Sequence, residues 1–237
     1  MPARALSFVG LGALTVAAAA VAVVALSGAA SVREPAPVSS QVAAAYESLK
    51  AAPPTLKEDT RPHAVVIGDS YSQGANNTVV WPVLVSEARK ISITNKAVGG
   101  VGYAVGEKRF IEQAKLAVLD EPDIIIVAGS RNDVANPAGV QAAADEVFTF
   151  LKQNAPGARI VIIGPMWSSS APDKGAVIAN EGVRTAAEAH GLAFIDALAE
   201  NWLSDPAWIQ KDGVHPTDAG EAELANHIGG KLAGLGI

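Results

Sequence analysis

Val65-Val66-Ile67-Gly68-Asp69-Ser70-Tyr71-Ser72-Gln73-Gly74 is the stretch whose reading decides the fold. Three apolar β-branched residues run straight into Gly-Asp-Ser, and a second glycine follows the serine by four positions. The first part reads as a buried strand. The second reads as a tight turn that leaves a serine hydroxyl at the strand's carboxyl end. Such a serine is a turn residue, a helix cap or a nucleophile, and the rest of the chain has to decide among the three.

Downstream of this stretch, apolar runs alternate with helical periodicity. Residues 64–67 form the first strand, and residues 81–90 read as a helix. Residues 92–97 read as a second strand. Residues 106–119 carry Phe110-Ile111, Ala114 and Ala117-Val118 at helical spacing. Residues 123–129 are the third strand. Between 138 and 153, Val140, Ala143-Ala144, Val147-Phe148 and Leu151 line one helix face. A fourth strand at 159–164, a helix at 174–190, a weaker strand at 192–196 and a closing helix at 217–232 complete the pattern. Strands alternating with helices imply right-handed crossovers and a parallel sheet. Ile124-Ile125-Ile126-Val127 and Ile160-Val161-Ile162-Ile163 are apolar at every position, as strands covered on both faces must be. The expected fold is therefore a three-layer α/β/α sandwich around a five-stranded parallel sheet.

The chain has 237 residues, a formal charge of −6 and no cysteine. Its length suits one domain, residues 63–237, with an appendage. The mild acidity argues against nucleic acid as a partner, because no basic stripe is available to neutralise phosphates. The missing cysteines exclude disulfides, thiolate metal sites and a cysteine nucleophile. Between Arg4 and Arg33 no residue is charged, a run longer than the roughly 20 residues a membrane span needs. Residues 1–32 therefore read as an export signal or an N-terminal membrane anchor, with Gly28-Ala29-Ala30-Ser31 offering small residues for cleavage. Membrane contact is expected only through this segment, if it is retained. Residues 33–62 read as a linker punctuated by prolines, with room for one short solvated helix containing Val42, Ala45-Tyr46 and Leu49.

In open parallel sheets, sites form beyond the carboxyl ends of the strands. Those ends carry Asp69-Ser70, then Asn95-Lys96-Ala97-Val98-Gly99-Gly100, then Gly129-Ser130-Arg131-Asn132-Asp133. Asp212-Gly213-Val214-His215 lies just before the last helix. Together they offer a hydroxyl, main-chain N–H groups, a carboxamide, and an imidazole with a carboxylate. This inventory fits a hydroxyl nucleophile with its base and an oxyanion site.

Gly68-Asp69-Ser70, the glycine after Asn95, Gly129 with Asn132, and Asp212-x-x-His215 stand in the order of the SGNH (GDSL-type) hydrolases, which this chain resembles over about residues 63–232. The resemblance implies a flavodoxin-like sheet, an esterase, lipase or sugar deacetylase activity, and no metal or organic cofactor. Carried over residue by residue, it makes Ser70 the nucleophile, His215 its base and Asp212 the group that orients the imidazole. It assigns the oxyanion hole to the N–H of Ser70, the N–H of Gly100 and the side-chain amide of Asn132. Gly99 is the alternative donor. Two features depart from familiar patterns. The family most often has one residue between the glycine and the asparagine of its third block, whereas Ser130-Arg131 intervene here. No Gly-x-Ser-x-Gly elbow is present, which argues against the ordinary α/β-hydrolase fold.

Each singled-out residue also has a plainer reading. Ser70 could cap the following helix, Asp69 is expected to hold its loop by an Asx-turn bond, and Thr217 is a natural helix N-cap. His63, His190 and His227 read as structural or surface residues. Arg131 could bind an anionic substrate group, but pairing with a carboxylate such as Asp133 is the favoured expectation. Trp167, after the fourth strand, is a second candidate substrate contact that could wall an acyl or sugar pocket. Met166, Trp202 and Trp208 could wall a pocket, although tryptophans near loops more often pack. The expected function is an exported serine esterase acting on an acyl ester or acylated carbohydrate. Acyl transfer or deacetylation on cell-envelope sugars is the sister possibility. The rival from another class is a non-catalytic flavodoxin-like binding module with phosphate cradled at residues 68–74, weakened by the absence of lysine and arginine there.

Overall fold

Five parallel strands run through the centre of the molecule in the order β2-β1-β3-β4-β5. They are β1 (His63–Gly68), β2 (Ser92–Asn95), β3 (Ile124–Ala128), β4 (Arg159–Ile163) and β5 (Ala193–Ile195). The structure, a computed structural model, describes residues 59–237 apart from residues 108, 169 and 170. The expected leader at 1–32 and the short linker helix lie outside the described residues. The strand order reverses between β1 and β3, and that is where the polar loops gather.

The sheet divides two cores. Val65 and Ile67 of β1, with Ile125, Val127 and Ile162, face helices α3 (Phe110–Ala117), α4 (Val140–Asn154) and α5 (Lys174–Ala189). Ala64, Val66, Ile126 and Ile163 point the other way. They meet α1 (Ser70–Gln73), α2 (Trp81–Arg89), α6 (Ala197–Glu200) and α7 (Asp218–Gly234). This alternation is the period-two geometry of a strand read against two helical layers. Burying one large aliphatic or aromatic side chain contributes roughly 1.5–3 kcal/mol, whereas a net hydrogen bond contributes about 1 kcal/mol. The position of β1, and of whatever it carries at its end, is therefore set by the core.

The elements match the sequence-based expectation with small shifts. The helix expected from 106 starts at Phe110, because Gly106 sits at φ +88° in a turn. The second strand stops at Asn95 instead of 97. Two four-residue helices, α1 and α6, have no counterpart in the periodicity, being too short to display one.

Candidate active site

β1 ends at Gly68, and there the chain is crowded. A side chain on Gly68 would meet the Ser72 hydroxyl at 2.7 Å and the Ala128 carbonyl at 2.8 Å. The buried Gln113 carboxamide closes the strand end, accepting from the Gly68 N–H at 2.8 Å and donating to its carbonyl at 2.9 Å. Asp69 then caps α1 by accepting the Tyr71 N–H at 3.0 Å. The cap is thus Asp69, through the expected Asx bond, and not Ser70, which occupies the first helical position with its hydroxyl free for other work. Asp69 is fully buried, and burial raises its pKa to about 6. Its Oδ2 packs where a side chain on Gly129 would stand, at 2.7 Å. Gly129, at φ +144°, is glycine for both reasons.

Ser70 Oγ lies 3.0 Å from His215 Nε2, and His215 Nδ1 lies 2.7 Å from Asp212 Oδ2. The other oxygen of Asp212 accepts the N–H groups of Val214 and His215 at 2.8 and 3.0 Å. Four residues thus close a turn on one carboxylate, and Gly213 makes it possible at φ +71°. The bond from His215, helped by those two N–H groups, draws the Asp212 pKa down to about 2. A carboxylate only accepts, so Nδ1 carries the proton and Nε2 offers its lone pair to the serine hydroxyl.

The second loop continues the pairing with β1 beyond the strand. The N–H groups of Lys96 and Val98 donate to the carbonyls of Val66 and Gly68. Asn95 ties back to the nucleophile's segment through the Ser72 carbonyl at 2.6 Å. At the tip, the Gly99 N–H is taken by Gln73 Oε1 at 2.7 Å. Gly100, at φ +76°, makes no main-chain bond among the described residues, and a side chain there would point into open space. Of the two glycines, Gly100 is the one with an N–H to offer.

The extra residue in the third block is absorbed locally. Ser130 takes φ +97°, rare for a residue with a side chain, and its hydroxyl donates to Asp133 at 2.8 Å. Asp133 is buried and also accepts the N–H groups of Tyr103 and Ala104 at 2.9 and 2.8 Å; burial raises its pKa. Asn132 is left at the loop's start, donating one amide hydrogen to the Val101 carbonyl at 2.8 Å. Its second amide hydrogen remains for another acceptor. The expected pairing of Arg131 with Asp133 does not occur. Asp133 is turned inward to main-chain donors, and the Arg131 guanidinium lies over the Trp167 ring at 3.9 Å. Trp202 is buried in the core, stacked on His227; Met166 is likewise buried. His63 and His190 bond Thr94 and Asp145 away from these loops.

Sequence reasoning missed the residues that hold the imidazole's loop. Tyr71 Oη donates to the Val214 carbonyl at 2.5 Å. Gln210 donates three times, its N–H to the His215 carbonyl at 2.8 Å and its Nε2 to the carbonyls of Ala75 and Pro216 at 2.6 and 2.7 Å, and its own carbonyl accepts the Gly213 N–H at 3.0 Å. Asn77 donates to the same Pro216 carbonyl at 2.9 Å. Thr217 caps α7, as expected, through Gly220. One turn on, buried Glu221 accepts the Trp81 N–H at the start of α2, and burial raises its pKa to about 8.

Known proteins share this arrangement of sequence and fold. Residues 66–222 match the GDSL-like Lipase/Acylhydrolase family. GDSL lipase Rv0518 of Mycobacterium tuberculosis is 31% identical over 193 residues, covering 74% of this chain and 83% of that protein. Among solved structures, the lipase/acylhydrolase from Enterococcus faecalis superposes with a TM-score of 0.56 at 20% identity, over 72% of this chain and 96% of that one. The psychrotrophic esterase EstA from Pseudoalteromonas gives 0.58 at 12% identity, over 70% and 93%. At those identities the two structures speak for the fold alone. The family match and the mycobacterial relative speak for more: this chain belongs to the GDSL-like lipase/acylhydrolase family and is a serine ester hydrolase.

Proposed function

We propose that the chain is an exported esterase that cleaves short acyl or acetyl esters through an acyl-enzyme. The observation that carries this reading is the unbroken line of hydrogen bonds from Ser70 through His215 to Asp212. In the first step Ser70 Oγ attacks the ester carbonyl carbon as its proton passes to His215 Nε2. Asp212 stabilises the imidazolium that forms. The carbonyl oxygen becomes an oxyanion, received by the N–H groups of Ser70 and Gly100 and the free amide hydrogen of Asn132. Collapse breaks the ester bond, and the leaving alcohol takes the proton from Nε2. Water then attacks the acyl-serine, giving its proton to Nε2, and the acid departs as Ser70 recovers its hydrogen.

Replacing Ser70 with Ala is expected to abolish turnover of p-nitrophenyl acetate and labelling by a fluorophosphonate probe while circular dichroism stays native. Retained turnover by that variant defeats the acyl-enzyme reading, and an unlabelled wild type favours the binding-module alternative. The preference for short chains is motivated by the brief connections around the site; an acyl-length ladder run beside acetylated sugars tests it, and a maximum at long chains refutes it. Export is motivated by the uncharged apolar run between Arg4 and Arg33. Finding the intact chain in the soluble cytosolic fraction of its host would count against it.

A further inference from the structure

Arg131 precedes Asn132 in the loop after β3 and takes part in none of the steps above. Its guanidinium carbon is 3.9 Å from the centre of the Trp167 ring and 5.7 Å from that of Tyr71. The Tyr71 ring is 6.2 Å from the His215 imidazole. The guanidinium is therefore one aromatic ring removed from the imidazole, on the same loop as Asn132.

Four other arginines among the described residues are occupied. Arg61 and Arg184 pair with Asp59 and Asp196, and Arg89 and Arg159 donate to main-chain carbonyls near the end of the chain. Arg131 has no ion pair among the described residues, and its Nη1 is shut off from solvent without an acceptor. A buried donor left unpaired is costly, and native structures rarely keep one without use. The planar face of the group is satisfied by Trp167; its hydrogen-bonding edge is not. Neighbouring carboxylates do not fill that need. Asp133 is taken up by Ser130, Tyr103 and Ala104; Asp69 gives Oδ1 to the Tyr71 N–H and feels the guanidinium's charge, with no hydrogen bond from that group to its Oδ2.

We propose that Arg131 recognises an anionic group on the substrate, so that the natural ester carries a phosphate or a carboxylate close to the bond that is cleaved. This rests on the esterase reading and names the substrate class of that site. The guanidinium edge matches two oxygens of such a group. Stacking on Trp167 fixes the plane in advance and lowers the cost of ordering the side chain.

Two matched pairs of esters test the idea on the full chain. The first is mono-p-nitrophenyl succinate against p-nitrophenyl methyl succinate, with the charge on the acyl side. The second is butyrylglycerol phosphate against butyrylglycerol, with the charge on the alcohol side, followed by acid release. The anionic member of one pair is expected to be preferred. Arg131→Gln is expected to lower that pair's anionic-to-neutral ratio of kcat/KM about tenfold or more, mainly through KM, as loss of a charge-assisted hydrogen bond would. Arg131→Lys, which keeps the charge and loses the planar fork, should fall between, and gives the same readout if the glutamine variant folds poorly. The pair that responds tells which side of the ester carries the anion. Ratios unchanged by both substitutions overturn the proposal. Binding of methyl phosphate and methyl succinate to a Ser70→Ala protein, read by tryptophan fluorescence, separates this from the esterase reading. Arg131-dependent binding with no hydrolysis by the wild type would leave the anion site standing and remove the enzyme; absence of Arg131-dependent binding and of any change in ratio removes the anion site.

Discussion

Ser70 and His215 meet at 3.0 Å, yet the two sides of that contact are built differently. Ser70 follows a strand whose residues are buried on both faces, and its turn is closed by Gly68, Asp69 and Gly129 packed against one another. His215 stands in a partly exposed loop at the margin of the core, where Val214 packs. That loop is held by donors reaching across from elsewhere: Tyr71 to Val214, Gln210 to His215 and Pro216, Asn77 to Pro216. The nucleophile inherits its place from the hydrophobic core, and the base is tethered to it by a handful of hydrogen bonds. Damage on the first side should appear as lost stability, and damage on the second as lost turnover.

The largest effect is expected where packing rules. Gly129→Ala puts a methyl group 2.7 Å from Asp69 Oδ2 and 2.9 Å from Phe110, at a positive φ. It should destabilise the protein by about 3 kcal/mol in urea unfolding; a loss under about 1 kcal/mol would show the turn to be softer than its packing implies. Gln210→Ala comes next and should divide the two readouts. Its loop loses two carbonyl partners, and misplacing the imidazole by a fraction of an ångström is expected to cut kcat between about tenfold and a hundredfold. Stability should fall by only about 1–2 kcal/mol. Parallel losses of kcat and stability would break the contrast between the two sides.

The last effect is a slope with pH and concerns Glu221, which joins the helix after the base to the helix after the nucleophile. Its folded pKa, about 8, is above the ordinary value of 4.5. The folded state thus holds a proton that the unfolded chain gives up, and this contribution to stability is full below about pH 4.5 and lost as pH rises through about 8. Glu221→Gln cannot lose that proton. Between pH 5 and 8.5 the wild type should lose stability steadily relative to the variant, measured by urea unfolding at each pH. An identical pH slope in the two proteins would mean that Glu221 is ionised in the fold.

The two sides also differ in how much of them can be read from the chain. β1, β3 and β4 declare themselves because a strand covered on both faces is apolar throughout, and a glycine or polar residue marks each end. Ser70, Asp212 and His215 stand at those ends or in a short turn, where spacing is informative. Gln210 is another matter. Its partners are main-chain carbonyls, which every residue possesses, so no pattern announces it. Asp133 likewise bonds N–H groups some thirty positions away, and a neighbouring arginine looked like its natural partner. Arg131 instead found Trp167, brought near by the folding of β4 beside β3. Short α1 escaped notice because four residues cannot show a 3.6-residue repeat.

Gln73 occupies the N–H of Gly99 and so leaves that of Gly100 to face the substrate. It does this from the same helical turn that carries the attacking hydroxyl. The hydroxyl and the tip of the neighbouring loop are thereby fastened to one four-residue helix. Their separation should therefore vary less with temperature than the gap to His215, and the imidazole becomes the part of the machinery that heat detunes first.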